Sequence, residues 1–258
     1  MSRYLIDQSA TRPSTRIAIG IVGAVVAIAA WEAIAASGSL GSRLPSPSAI
    51  IIGMSDPILG AIISRALAAT LPQAGIALVL GIVLGVGAAL IQLLVPRLER
   101  SVHRIASLLD AVPAVILSPI LVTVFGVAQV PVVVGTLGVF FTIFVTTSNG
   151  FFTAPKTSAD YISTTGGSRW TLFRYLQAPA ALPAFVDGLR LAAPNALLGT
   201  MFGEWFGSSV GLGVLIQVSW QRFQVDLLWS AALVATAIAI LLLIGFGALS
   251  RATFRRFS

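Results

Sequence analysis

From Ala111 to Pro155 the chain runs 45 residues without a single Asp, Glu, Lys or Arg. A soluble domain rarely hides so long a stretch, whereas a bilayer requires such runs. A spanning helix needs about 20 apolar residues to cross ~30 Å of hydrocarbon at about 1.5 Å per residue. Ala66–Pro96 (31 residues) and Leu227–Ser250 (24 residues) are uncharged in the same way. Only 10% of the 258 residues are charged and 57% are hydrophobic, where a soluble domain carries about 25% charge. The chain is therefore expected to be an all-α, polytopic membrane protein. With no cysteine, disulfide scaffolds, thiol nucleophiles and iron–sulfur sites are excluded.

Dividing these runs predicts six spans near residues 17–36, 71–95, 106–125, 131–150, 184–202 and 227–250, forming one membrane domain over 1–258. Phe125-Gly126-Val127-Ala128-Gln129-Val130-Pro131 splits the longest run in two. The second run exceeds one crossing, which implies tilt or an interfacial turn. Charge orients the spans, because short loops rich in Lys and Arg stay cytoplasmic. Twelve of the sixteen basic residues fall on one side: Arg3, Arg12, Arg16; Arg97, Arg100, Arg104; Lys156, Arg169, Arg174; and Arg251, Arg255, Arg256. Arg43, Arg65 and Arg222 fall on the other, and Arg190 lies within a span. Both termini are thus expected in the cytoplasm. Membrane lipids and a cytoplasmic partner account for the net charge of +7 without nucleic acid. The first apolar run is read as a retained span, since cleaving it as a leader would invert the charge bias.

Two loops stand out. Ser37–Arg65, rich in Gly, Ser and Pro, is expected outside, with Ser48 as a helix cap after Pro45-Ser46-Pro47. Residues 151–183 form a cytoplasmic loop far longer than a simple helix connection. In it Ser158 is placed to cap a helix over Ala159–Thr165, Gly166-Gly167 to end it, and Ser168 to cap a second helix through Tyr175. On that second helix Trp170, Phe173 and Arg174 share a face. Pro179 and Pro183 bracket the start of the fifth span. On pattern alone this is either a rigid elbow offered to a partner or a helix pair lying on the membrane surface with Trp170 as anchor.

The segment Asp160–Pro183, DYISTTGGSRWTLFRYLQAPAALP, resembles the cytoplasmic EAA loop of ABC-importer permeases. Gly166, the string Trp170-x-Leu172-Phe173-Arg174 and the ending Pro179-x-Ala181-Leu182-Pro183 resemble its nitrate, sulfonate and taurine branch. Leu44-Pro45-Ser46-Pro47, Val124-Phe125-Gly126, Gly188-Leu189-Arg190, Glu204 and Gly211-Leu212-Gly213 follow the same pattern, so the likeness covers nearly the whole chain. Two departures are plain: Glu-Ala-Ala is replaced by Asp160-Tyr161-Ile162, and Ala178 stands where Leu is usual.

The resemblance implies a type I ABC-importer permease fold in a bacterial inner membrane, with the loop as a coupling helix seated in an ATPase. It implies two cytoplasmic ATPase subunits that bind the ATP and Mg²⁺, a second permease copy (identical or related) and an external solute-binding protein. No cofactor, metal site or catalytic residue is expected on this chain. Asp160, Gly166, Arg169, Trp170, Phe173, Arg174, Pro179 and Pro183 would couple to the ATPase. The implied solute is a small anion such as a sulfonate, taurine or nitrate, with thiamine precursors or other small metabolites as the alternative.

Ionisable groups at membrane depth are costly and mark candidate pathway positions. Asp187 and Arg190 are spaced to pair, and Asp110 precedes Pro113 and Pro119. Glu204 with Trp205 ends the fifth span on the outer side, as a gate or a contact for an external protein. Gly81 and Gly85 give the second span a small face for helix packing. Two rivals from other classes are weaker. Gly207-Ser208-Ser209-Val210-Gly211 matches the nucleophile elbow of hydrolases, but the single histidine, His103, belongs to the opposite side. A secondary transporter needs an ion site the spans do not supply. Lys156, the only lysine, lies outside any phosphate-binding loop.

Overall fold

The structure is a computed structural model and describes residues 13–39, 41–95, 97 and 99–257. Its described residues form eleven α-helices and no strand. In chain order they are α1 (Pro13–Ala36), α2 (Pro47–Gly53), α3 (Pro57–Leu94), α4 (Glu99–Ala111), α5 (Ala114–Phe125) and α6 (Val130–Phe152). Then come α7 (Lys156–Thr164), α8 (Arg169–Leu172), α9 (Ala178–Gly207), α10 (Leu212–Gln221) and α11 (Val225–Phe257). Among the described residues, four stretches are long and apolar enough to cross a membrane: Ala18–Ala36, Pro57–Leu94, Val127–Phe152 and Val225–Ala248.

Helix α6 is the centre, packed between α3 and α9. Without a hydrophobic drive between lipid-bathed helices, close approach comes from small residues. Gly81 and Gly85 of α3 lie against Val139 and Ile143 of α6, so the small face predicted for the second span packs within this chain. A longer stripe escaped sequence reasoning. Gly199, Gly203 and Gly207 of α9 meet Gly135 and Pro131 of α6 and Val127 just ahead of it, and a Cβ at Gly199 would stand 2.8 Å from the Gly135 Cα. The two backbones touch there. Helix α1 is exposed along its apolar length and is held near its C-terminal end. Trp31 Nε1 donates to the Pro45 carbonyl at 3.2 Å, and its ring meets Trp229 at 5.1 Å.

Three expectations are corrected. The span placed at 106–125 is not one helix: α4 ends at Ala111 and α5 starts at Ala114. Pro113 has no N–H to continue the ladder and bars its predecessor from helical geometry. Second, α3 begins at Pro57, capped by Asp56, whose Oδ1 accepts from the Ile58 N–H at 2.8 Å. Arg65 therefore belongs to a helix of 38 residues, not to an external loop. Third, Ser46 caps α2, its Oγ accepting from the Ala49 N–H at 3.2 Å. Ser48 instead gives its N–H (3.1 Å) and hydroxyl (2.6 Å) to the Glu32 carboxylate of α1.

Candidate functional site

The loop 151–183 folds as two helices joined by glycines. Helix α7 starts after Pro155, three residues ahead of the expected cap Ser158, and ends in a turn that needs both glycines. Gly166 takes φ +83°, the left-handed region where a side chain is strained. The Gly167 N–H reaches back to the Ile162 carbonyl at 2.8 Å, the bond that closes a helix C-terminus. A Cβ at Gly167 would strike that carbonyl and the Ile162 side chain. Ser168 then caps α8, its Oγ accepting from the Thr171 N–H at 3.2 Å.

From there the rod does not stop. Helix α8 passes through a π-helical segment, Phe173–Gln177, straight into α9. The Ala178 N–H bonds to the Phe173 carbonyl, five residues back. The widened turn precedes Pro179, whose ring would crowd the carbonyl of Tyr175 in an ordinary α-helix. Pro179 sits in the first turn of α9 and Pro183 inside it, so neither breaks the link between elbow and span.

The side chains predicted to couple divide into two groups. Asp160, Arg169, Trp170 and Arg174 are exposed, as are Tyr161 and Tyr175. Trp170 is 63% exposed and the two tyrosines 70% each, an unusual density of bare aromatic surface beside two cations. Phe173 faces the other way. Its ring lies 6.1 Å from that of Phe151, packed on the cluster of Ala89, Ala106, Phe144 and Ala181. It shares an edge with Trp170 at 5.4 Å but does not share its surface.

The predicted pathway residues are not brought together. Asp187 accepts a hydrogen bond from the Ser250 hydroxyl of α11 at 2.5 Å, rather than pairing with Arg190. Arg190 lies along Gly247 of the same helix, its Nε 3.3 Å from where a Cβ would be. Both groups brace α9 on α11. Asp110 belongs to α4, and its side chain lies outside the described residues.

Glu204 is fully buried, which removes it from direct contact with an external protein. The Leu212 N–H donates to Thr70 Oγ1 (2.8 Å), the Thr70 hydroxyl donates to Glu204 Oε1 (2.6 Å), and the Gly213 N–H donates to Oε2 (2.7 Å). A carboxylate thus satisfies a donor at the N-terminus of α10, where the helix dipole favours negative charge. Trp205 packs edge-on against Phe202, with ring centres 5.4 Å apart.

A cavity of about 280 Å³ opens instead between the Pro113 break, α5, α6 and α9. Among the described residues, its lining side chains are apolar except for Asn195. Asn195 Nδ2 donates to Thr142 Oγ1 at 3.1 Å, and that hydroxyl donates to the Gly138 carbonyl at 3.0 Å. Sequence reasoning searched the spans for charge and passed over this amide.

The hydrolase pattern dissolves on geometry. His103 packs on Phe144, while Ser209 follows Gly207, which lies against Val127 and Val130. Phe144 is 14 residues along α6 from Val130, about 21 Å of helix.

Residues 81–258 match the family described as the binding-protein-dependent transport system inner membrane component. The chain belongs to this family. The permease is similar to the formylaminopyrimidine transport permease ThiX of Halalkalibacterium halodurans, 32% identical over 209 residues, covering 81% of this chain and 82% of the relative. It is 26% identical over 227 residues to the putative aliphatic sulfonates transport permease SsuC of Bacillus subtilis, covering 85% and 80%. Among solved structures, an inward-facing form of the MetNI methionine ABC transporter superposes with a TM-score of 0.64 at 19% identity. That match covers 78% of this chain and 99% of the other. The fold is therefore that of ABC-importer permeases, and this chain is a multi-pass ABC-importer permease subunit.

Proposed function

We propose that this permease forms one half of the membrane pathway of an ATP-driven importer, with residues 151–183 as its coupling element. The observation that carries the reading is the uninterrupted rod from Arg169 through the π-segment to Gly207. A push on the exposed Trp170 and Tyr175 is delivered to a spanning helix with no flexible joint between. Packed rigid elements with two arrangements transmit such a push; a loop would absorb it. Two cytoplasmic ATPases would seat the elbows and bind ATP and Mg²⁺, a second permease copy would complete the pathway, and an external binding protein would deliver the solute. The termini would lie in the cytoplasm, with six crossings, the third made by α4 and α5 together. The solute is a small metabolite. A formylaminopyrimidine-like compound is supported by the ThiX relative and a sulfonate by SsuC, the first at higher identity.

The test is reconstitution in vesicles with the ATPase and the binding protein. ATP-dependent uptake is expected, and proton- or sodium-driven uptake without ATP would overturn the reading. Gly166→Val forces a β-branched residue to φ +83°, at about 1–3 kcal/mol of local strain. It should leave ATP hydrolysis in place while uptake falls at least about tenfold, the factor that ~1.4 kcal/mol represents. Full uptake by that variant would refute the elbow assignment.

A further inference from the structure

We infer that the cavity between the Pro113 break, α6 and α9 is the solute's resting place in the membrane, and that Asn195 selects uncharged heteroaromatic rings over anions. The inference rests on the importer reading above and adds to it a substrate class and a specificity-determining residue.

Position comes first. Asn195 stands 11 residues beyond Ala184, about 16 Å along the helix, near half the ~30 Å hydrocarbon thickness. A cavity at that depth opens where a crossing solute must pause. Its volume of about 280 Å³ falls just under the usual range of small-molecule sites, which starts at about 300 Å³.

Chemistry decides the class. Pro113, Leu117, Val134, Leu137 and Phe202 offer apolar and aromatic surface, and among the described residues no ionisable side chain lines the cavity. An anion stripped of water here would find no cation among them. The basic residue of α9, Arg190, lies against Gly247 of α11. Five residues away, it is about 140° around the helix from Asn195. Burying an unpaired charge costs several kcal/mol even after relaxation, on the order of the whole binding energy of a small solute. A neutral ring pays no such penalty. Asn195 is held in one orientation by Thr142, which engages a single amide hydrogen. Its carbonyl oxygen and second amide hydrogen remain, side by side, as an acceptor and a donor. That pair matches the donor–acceptor edge of an aminopyrimidine or a related ring and has no use for a sulfonate, which offers acceptors alone. Phe202 and Leu117 supply the flat apolar contact a ring needs.

The experiment uses the whole transporter, with its ATPases and binding protein, in vesicles. Radiolabelled formylaminopyrimidine, riboflavin and ethanesulfonate, a monoanion with acceptors alone, are the probes. ATP-dependent uptake of a ring probe and none of ethanesulfonate is expected. Asn195→Leu should reduce ring uptake at least tenfold while ATP hydrolysis continues. Gly138→Ala serves where Asn195→Leu fails to assemble, because its added methyl meets the backbone of Asn195 at an ordinary 3.6 Å. It should narrow the cavity and lower ring uptake severalfold without loss of assembly. ATP-dependent ethanesulfonate uptake that survives both substitutions would overturn the inference and leave the importer reading intact. Absence of ATP-dependent uptake for every probe in the unsubstituted transporter would overturn both.

Discussion

At its C-terminal end, the outer one in the proposed topology, α9 closes on a buried carboxylate, with Glu204 accepting from Thr70 and from the backbone of α10. At its N-terminal end, the inner one in that topology, the same helix continues through a π-segment into an elbow whose aromatic side chains are largely bare. At the outer end the carboxylate and the donors that face it are matched within the chain. The inner end anchors on one inward ring, Phe173, and leaves Tyr161, Trp170 and Tyr175 uncovered. A helix fixed above and open below is a lever whose free end belongs to another protein. The two ends should accordingly respond to substitution in opposite ways.

Glu204→Ala tests the outer end and should have the largest effect on stability. It strands the Gly213 N–H in a buried site, at about 1–3 kcal/mol, and leaves the Thr70 hydroxyl only the Ala66 carbonyl at 3.2 Å. The detergent-solubilised permease should lose about 5 °C in Tm, at a few degrees per kcal/mol for a chain of this size. Glu204→Gln keeps one acceptor for Thr70 but turns its amide hydrogens on the Gly213 N–H or gives up that bond, so an intermediate loss is expected. A melting curve unchanged in both variants would mean that the outer end is not held by this network.

Phe173→Ala comes next. The ring is half-buried against Phe151 and the cluster around Phe144, so truncation should cost about 2 kcal/mol, below the range for a fully buried phenylalanine. Hydrogen exchange should quicken over residues 156–177 and stay slow around Leu212 and Gly213. Equal quickening at both ends would erase the distinction between them.

What was legible in the chain follows the same division. Uncharged runs announced spanning helices because hydrocarbon tolerates little else, and Gly166-Gly167-Ser168 announced the elbow because its stop and cap signals are local. The break at Pro113 was visible as a residue but not as a consequence, since prolines at 72, 183 and 194 sit inside intact helices. The role of Glu204 was hidden for another reason. Its partners, Thr70 and Gly213, lie 134 and nine positions away, and the pattern of one helix does not encode such a pairing. Asp187 likewise had a plausible partner three residues off in Arg190, yet its bond goes to Ser250, 63 positions on. The stripe Gly199, Gly203, Gly207 was readable by its spacing and was overlooked beside the more conspicuous Gly81 and Gly85.

Trp170→Ala carries the smallest stability change and the sharpest test of the comparison. The side chain is 63% exposed and its ring contact within the chain is the edge it shares with Phe173, so folding should change by no more than about 0.5 kcal/mol. Exposed aromatics that anchor an interface behave differently: truncating one typically costs about 2 kcal/mol or more of binding. The ATPase should therefore bind the variant more than tenfold more weakly, read as the dissociation constant of the purified partner from the permease in nanodiscs, while Tm stays put. The converse pattern, a lowered Tm with ATPase binding unchanged, would make the inner end a structural terminus like the outer one. The bare aromatic face would then be a membrane-surface anchor, and the lever would have no hand on it.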